Sequence, residues 1–241
     1  MAMTLLGALA LPRSVEAGGC ARVGLDVLLL TPRSVRVPRG EGLLVGLGRD
    51  ESRTLGPVHG TGYETSERDV PPVSATLERA DHASIALRSE ALGAGLWRLV
   101  PERAPEAGAW TLRAGEHTHA VRFVDGAAPA RLGAPRVRAI TASSGIAQAV
   151  IAELSSAPPA AARAVVASMQ RRDTWMPRMS AQLSARDRSL VLFQRASGRC
   201  APPPIGSPTP PHAVVRLSWV DALGRTSPPS EVVTVTARDT P

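Results

Sequence analysis

The sequence has no lysine; all 28 of its basic residues are arginine. That removes Schiff-base lysines, the phosphate-gripping lysine of a P-loop and the Ser-x-x-Lys nucleophile pair. A GC-rich coding sequence, which favours Arg, Ala, Gly and Pro, accounts for the bias without an arginine-specific role. Aromatic residues make up only 3% of the 241 positions, and Tyr63 is the one tyrosine. A core must therefore be built from Val, Leu, Ile and Ala. Cysteine occurs twice, at Cys20 and Cys200. No apolar run is long enough to cross a bilayer as a helix. Gly-x-Ser-x-Gly and His-Glu-x-x-His are both missing, which removes the best-marked hydrolase signatures. These gaps lead to the expectation of a protein that is not an enzyme and carries no cofactor.

Turn formers are plentiful, with 22 Pro and 21 Gly, and 44% of the residues are hydrophobic. Short alternating apolar segments lie between the turn residues, which is the pattern of half-buried strands. In the first half they fall at Ala21–Leu30, Ser34–Val37, Gly42–Leu47, Val73–Arg79, Ser84–Arg88, Leu96–Val100, Trp110–Arg113 and Thr118–Val124. In the second half they fall at Arg136–Thr141, Gln148–Leu154, Arg163–Met169, Met179–Leu183 and Ser189–Arg195. Ala160–Gln170 is rich in alanine and could form a short helix. The Pro158-Pro159 lead-in and the β context favour a strand. Arg49–Pro72 and the Pro-rich Ala196–Pro211 read as long loops.

The chain closes on AVVRLSWVDALGRTSPPSEVVTVTA, Ala213 to Ala237. Val215, Leu217 and Trp219 share one face of a strand, and Val214, Arg216, Ser218 and Val220 share the other. Asp221 and Gly224 mark a turn. Ser227-Pro228-Pro229-Ser230 stays extended, but its prolines have no N–H for a ladder. Glu231–Ala237 alternates again, with Val233 and Val235 on one side. This stretch resembles the last two strands of a fibronectin type III or related immunoglobulin-like module, although that family's usual penultimate-strand tyrosine is absent. Leu96–Pro101 and Gly108–Arg113 resemble late strands of bacterial immunoglobulin-like domains, with Trp97 and Trp110 expected in the core. The resemblance implies an all-β chain of two tandem immunoglobulin-like or fibronectin type III-like β-sandwiches, used for spacing or binding. The expected division is a signal peptide at 1–17, an immunoglobulin-like sandwich at 18–126, a linker at 127–134, and an Arg-rich fibronectin type III-like sandwich at 135–241.

Met3–Leu11 is apolar, and Val15-x-Ala17 fits signal-peptidase cleavage after Ala17. Export follows as an expectation, to the periplasm, the outer surface or the medium. Cys20 then has two readings. Ala17-Gly18-Gly19-Cys20 is a weak lipobox, which would anchor the chain to a membrane through a lipid. Alternatively Cys20 pairs with Cys200, since disulfides persist in exported proteins.

Charge is uneven. Residues 1–126 carry 14 Arg and 15 Asp or Glu, a net of −1. Residues 127–241 carry 14 Arg and 6 Asp or Glu, a net of +8. Arg171, Arg172, Arg178, Arg186 and Arg188 form the densest basic stretch, a candidate surface for an acidic envelope protein or an anionic glycan or lipid. Nucleic acid is not expected, because stacking aromatics are scarce beside these arginines. His117 and His119 lie two apart on an expected strand, so both imidazoles share a face and are candidate ligands for zinc or copper. Met169, Met176 and Met179 are candidate thioether ligands for Cu(I), although methionine also fills core gaps. The expected function is a non-enzymatic structural or binding module at the bacterial cell envelope. Envelope metal handling through His117/His119 or the methionines is the alternative.

Overall fold

The computed structural model describes residues 25–49, 74–93, 95–114, 117–143, 149–183, 188–194 and 212–238. The expected signal peptide, both cysteines, Arg186 and the two long loops (50–73 and 195–211) lie outside these residues. The described chain is all-β. Among the described residues no helix is long and apolar enough to cross a membrane.

Eight strands occupy the first half: β1 (Leu25–Leu29), β2 (Arg36–Pro38), β3 (Leu43–Arg49), β4 (Ala75–Glu78), β5 (Ser84–Gly93), β6 (Leu96–Pro101), β7 (Gly108–Ala114) and β8 (His117–Val124). Alternation explains their orientation. Along β7, Trp110, Leu112 and Ala114 turn inward while Ala109, Thr111 and Arg113 face out. Along β8, Val121 and Phe123 turn inward while Arg122 faces out.

The pairing of these strands departs from a sandwich of two separate sheets. All eight hydrogen-bond into one sheet, in the order β1-β3-β6-β5-β4-β7-β8-β2. Every neighbouring pair is antiparallel except β2 with β8, where Arg36, Val37 and Pro38 run parallel to Arg122, Phe123 and Val124. Val37, Leu43, Leu77, Leu87, Trp97, Trp110 and Phe123, drawn from strands along the sheet, converge on one core. The sheet therefore curls round its own apolar face into a near-barrel, with the sequence neighbours β1 and β2 at its two edges.

The second half begins after 125–136, a stretch without a strand. Its strands are β9 (Val137–Ser143), β10 (Ala149–Leu154), β11 (Ala162–Arg171), β12 (Thr174–Gln182), β13 (Ser189–Gln194), β14 (Val214–Asp221), β15 (Val233–Thr234) and β16 (Thr236–Arg238). They form two four-stranded sheets, β13-β10-β9-β16 and β12-β11-β14-β15. Ile140, Ala152, Leu154 and Leu192 from the first sheet meet Val165, Ala167, Met179, Leu217 and Trp219 from the second in a single core. The alanine-rich segment is strand β11, held between β12 and β14.

The closing stretch matches its expected alternation. Val215, Leu217 and Trp219 are buried in the core, as is Val235. The Ser-Pro-Pro-Ser segment keeps contact with β14 by a substitution of acceptors. Ser227 Oγ accepts from the Trp219 amide at 3.0 Å, and Ser230 Oγ accepts from the Leu217 amide at 3.0 Å. In return the backbone amides of Ser227 and Ser230 donate to the carbonyls of Trp219 and Leu217. The two serine hydroxyls thus satisfy buried amides that would otherwise lack an acceptor.

Candidate functional site

The most constructed place in the molecule is the joint between its halves. β11 reads Ala164-Val165-Val166-Ala167, apolar on both faces. Val165 and Ala167 enter the core of the second half, while Ala164 and Val166 look the other way. They are joined there by Val220 of β14 and pack on Leu44 and Leu96 of the first half, with Leu30 and Leu92 at the margin. Strands buried on both faces lose the apolar–polar alternation, and that loss is what this sequence shows.

The turn after β14 drives further in. Asp221 Oδ1 accepts from the amides of Leu223 (2.9 Å) and Arg225 (3.0 Å), and its Oδ2 accepts from Arg225 Nε at 2.8 Å. Gly224 has φ of +72°, a left-handed conformation that glycine adopts without cost. The resulting loop carries Leu223, 2% exposed, into the core of the first half. Full burial of such a side chain contributes about 1.5–3 kcal/mol.

Polar groups close over it. Thr31, 3% exposed, donates from Oγ1 to the Ala222 carbonyl at 2.6 Å and accepts from the Leu44 amide at 2.9 Å. Arg98 donates from Nε to the Leu223 carbonyl (3.2 Å) and from an NH2 nitrogen to Glu41 Oε2 (2.9 Å). Arg225 bridges from Asp221 towards Glu41 Oε1 at 3.7 Å. Two glycines also sit tightly against side chains of the opposite half. A Cβ on Gly224 would lie 2.7 Å from Arg98 Cγ, and one on Gly93 would lie 2.4 Å from Pro177 Cβ.

The sequence-derived candidates lie elsewhere. His117 and His119 do share a face of β8, with ring centroids 6.5 Å apart. Opposite them on β7 stand the buried Ala114 and Leu112, so the pair sits at the end of the inward face. His119 Nε2 is buried without a hydrogen-bond partner. Burial, reinforced by His117 and Arg33, pushes the His119 imidazole below its ordinary pKa of 6.5. Among the described residues no group of three His, Cys, Asp or Glu side chains converges. Met169 stands opposite Met176 across β11 and β12. Met179 is fully buried in the core of the second half, and Met169 packs against that core.

Arg171 and Arg172 are exposed at the β11–β12 turn, and Arg188 is exposed just before β13. Arg178 lies half-buried between them. Two features of the second half were missed in the sequence. The Arg216 guanidinium lies 4.2 Å from the ring centroid of Trp175. A groove of about 890 Å³ runs between the start of β9 and the Pro229–Thr234 segment. Several of the described carboxylates are engaged in structure. Asp81 receives Arg79, whose guanidinium also pairs with Glu106 and lies over Trp110. The Arg79 hydrogen bond holds the Asp81 carboxyl down at about 2.

No family model and no curated protein sequence matches the chain. Solved structures similar to it include the BSP domain of a biofilm-associated protein (12% identity, TM-score 0.28, 88% of this chain and 30% of that one). Others are a β-1,2-glucanase from Parabacteroides distasonis (12%, TM-score 0.34, 89% and 30%) and a DUF4785 family protein from Legionella pneumophila (14%, TM-score 0.24, 88% and 56%). The chain thus spans about a third to just over half of the length of these proteins. TM-scores this low do not establish a common fold.

Proposed function

We propose that the chain is an exported, non-enzymatic structural or binding module of a bacterial cell envelope, working as one rigid two-domain body. The observation that carries this reading is the joint. Leu223, Thr31, Glu41, Arg98 and Arg225 fix the angle between the halves with buried apolar contact, hydrogen bonds and charge. Interfaces between domains of one chain are usually polar and permit motion. A joint whose turn completes the other domain's core suits a part that holds surfaces at a set distance.

The second half carries the finer architectural reading. Labelled A to G in chain order, its strands give the sheets E-B-A and C′-C-F-G, with the end of G returning alongside A. This arrangement and the Ser-Pro-Pro-Ser segment support a fibronectin type III-like domain. For the first half, the one curled sheet supports only the coarser reading of a β-domain closed around one core.

Export is tested by the intact mass of the protein from its host, with and without reductant. A chain starting at Gly18 or at a lipidated Cys20 supports the reading. A chain starting at Met1 with both thiols free contradicts it. Metal handling remains the second reading, favoured by the shared face and 6.5 Å spacing of His117 and His119. Zinc or copper titration followed through the imidazole NMR signals tests it, and binding that survives His117→Ala and His119→Ala sinks it.

A further inference from the structure

The groove beside β9 exists because the last strand changes sheets. β15 pairs with β14, but two residues later β16 pairs in parallel with β9, from Thr141 to Ser143. On its other side β9 pairs with β10 back to Val137. The edge of β9 from Val137 to Ala139 that faces the groove therefore has no ladder partner among the described residues. β15 is the last strand of its sheet, and its outer edge has no ladder partner among the described residues either. Pro135, Arg136, Val137 and Arg138 line one side of the groove between them, and Pro229, Glu231, Val232, Val233 and Thr234 line the other.

The β9 wall of this groove is basic, and the facing wall carries one carboxylate. Arg136 and Arg138 are exposed on its β9 wall, and neither makes an ion pair among the described residues. Glu231 and Val232 line the opposite wall. Val232, 57% exposed, is the one large hydrophobic residue exposed among the described residues. An edge guarded by arginine repels basic strands and attracts acidic ones, so the guard doubles as a selector. Open backbone groups supply affinity for an extended peptide, and alternate side-chain positions supply its specificity.

We propose that this groove binds an extended, acidic segment of a partner protein, which adds as a strand to the edge of β9. Carboxylates of the segment meet Arg136 and Arg138, and an alternate apolar side chain meets Val232. The proposal rests on the reading of the chain as a binding module and names its partner class. Its test leaves the joint untouched, so the two can fail separately.

The probe is a fluorescent, end-capped seven-residue peptide alternating glutamate and valine, titrated into the full chain. The expected result is saturable binding, with amide shifts at Val137–Ala139 and Val232–Val233. Charge reversal at both arginines (R136E with R138E) weakens it by about tenfold or more, with the near-ultraviolet circular dichroism unchanged. Val232→Glu, on the opposite wall, weakens it as well. A peptide N-methylated at every second amide, or one with lysine for glutamate, does not bind. The proposal is overturned by no saturation up to about 1 mM. It is equally overturned by binding that tolerates N-methylation or charge reversal, by shifts confined to the Arg171–Arg172 turn, or by shifts in the groove with a sulfated polysaccharide but not with the peptide.

Discussion

Arg98 donates from Nε to the carbonyl oxygen of Leu223 at 3.2 Å, across 125 residues of sequence. The guanidinium is held at its other end by Glu41. One side chain of the first half thereby seats a turn of the second, and the leucine of that turn fills the first half's core.

Leu223→Ala should cost about 2–5 kcal/mol, the range for emptying a buried leucine site. The loss should appear in the unfolding of the first half as well as the second. Urea unfolding followed by amide NMR signals from β7 and from β10 checks this. A loss confined to the β10 signals contradicts it.

Gly224→Ala is expected to destabilise by about 1–2 kcal/mol or more. The residue holds φ at +72°, and the added methyl would meet Arg98. Gly108→Ala provides the comparison. It also has positive φ but nothing within 4 Å, so strain alone acts there. If the contact with Arg98 matters, Gly224→Ala should be rescued in part by Arg98→Ala, in a double-mutant cycle of thermal midpoints.

Ser227→Ala and Ser230→Ala each leave a buried β14 amide without its acceptor. An unsatisfied buried group costs about 1–3 kcal/mol. Substitution of the exposed Thr234, whose hydroxyl serves no such amide, should stay within about 0.5 kcal/mol. Hydrogen exchange of the Leu217 and Trp219 amides reads the difference directly.

Much of the fold is legible in the sequence, because alternation depends only on local spacing. The strands around Trp97, Trp110 and Trp219 fall where the pattern places them. The order of strands in the first half is not legible, since pairing β4 with β7 or β2 with β8 depends on distant chain. The joint was also hidden, although its signals were present. Ala164–Ala167 lacks a polar face, Val220 stands on the side shared with Arg216 and Ser218, and Leu223 is an apolar residue inside a turn. Each is unremarkable alone, and only the fold brings them against Leu44 and Leu96.

Acidification should weaken the protein through His119. Burial disfavours its cation and pushes the folded-state pKa below the ordinary 6.5. An unfolded chain takes up this proton first, so the contribution is complete above pH 6.5 and is lost as pH falls through the depressed folded value. Asp81 acts in the same direction at lower pH, between its ordinary value of 3.8 and about 2. Denaturant unfolding from pH 7.5 to 5 should show a falling midpoint, with a shallower slope in His119→Gln. A slope equal in the two proteins contradicts the assignment.

The most direct test of the rigid two-domain body is its tumbling in solution. Amide ¹⁵N relaxation should give one rotational correlation time for strands on both sides of the joint, β7 and β8 as much as β10 and β11. Two distinct, shorter times would mean that the halves move independently and that the contacts of Arg98, Leu223 and Thr31 do not hold them.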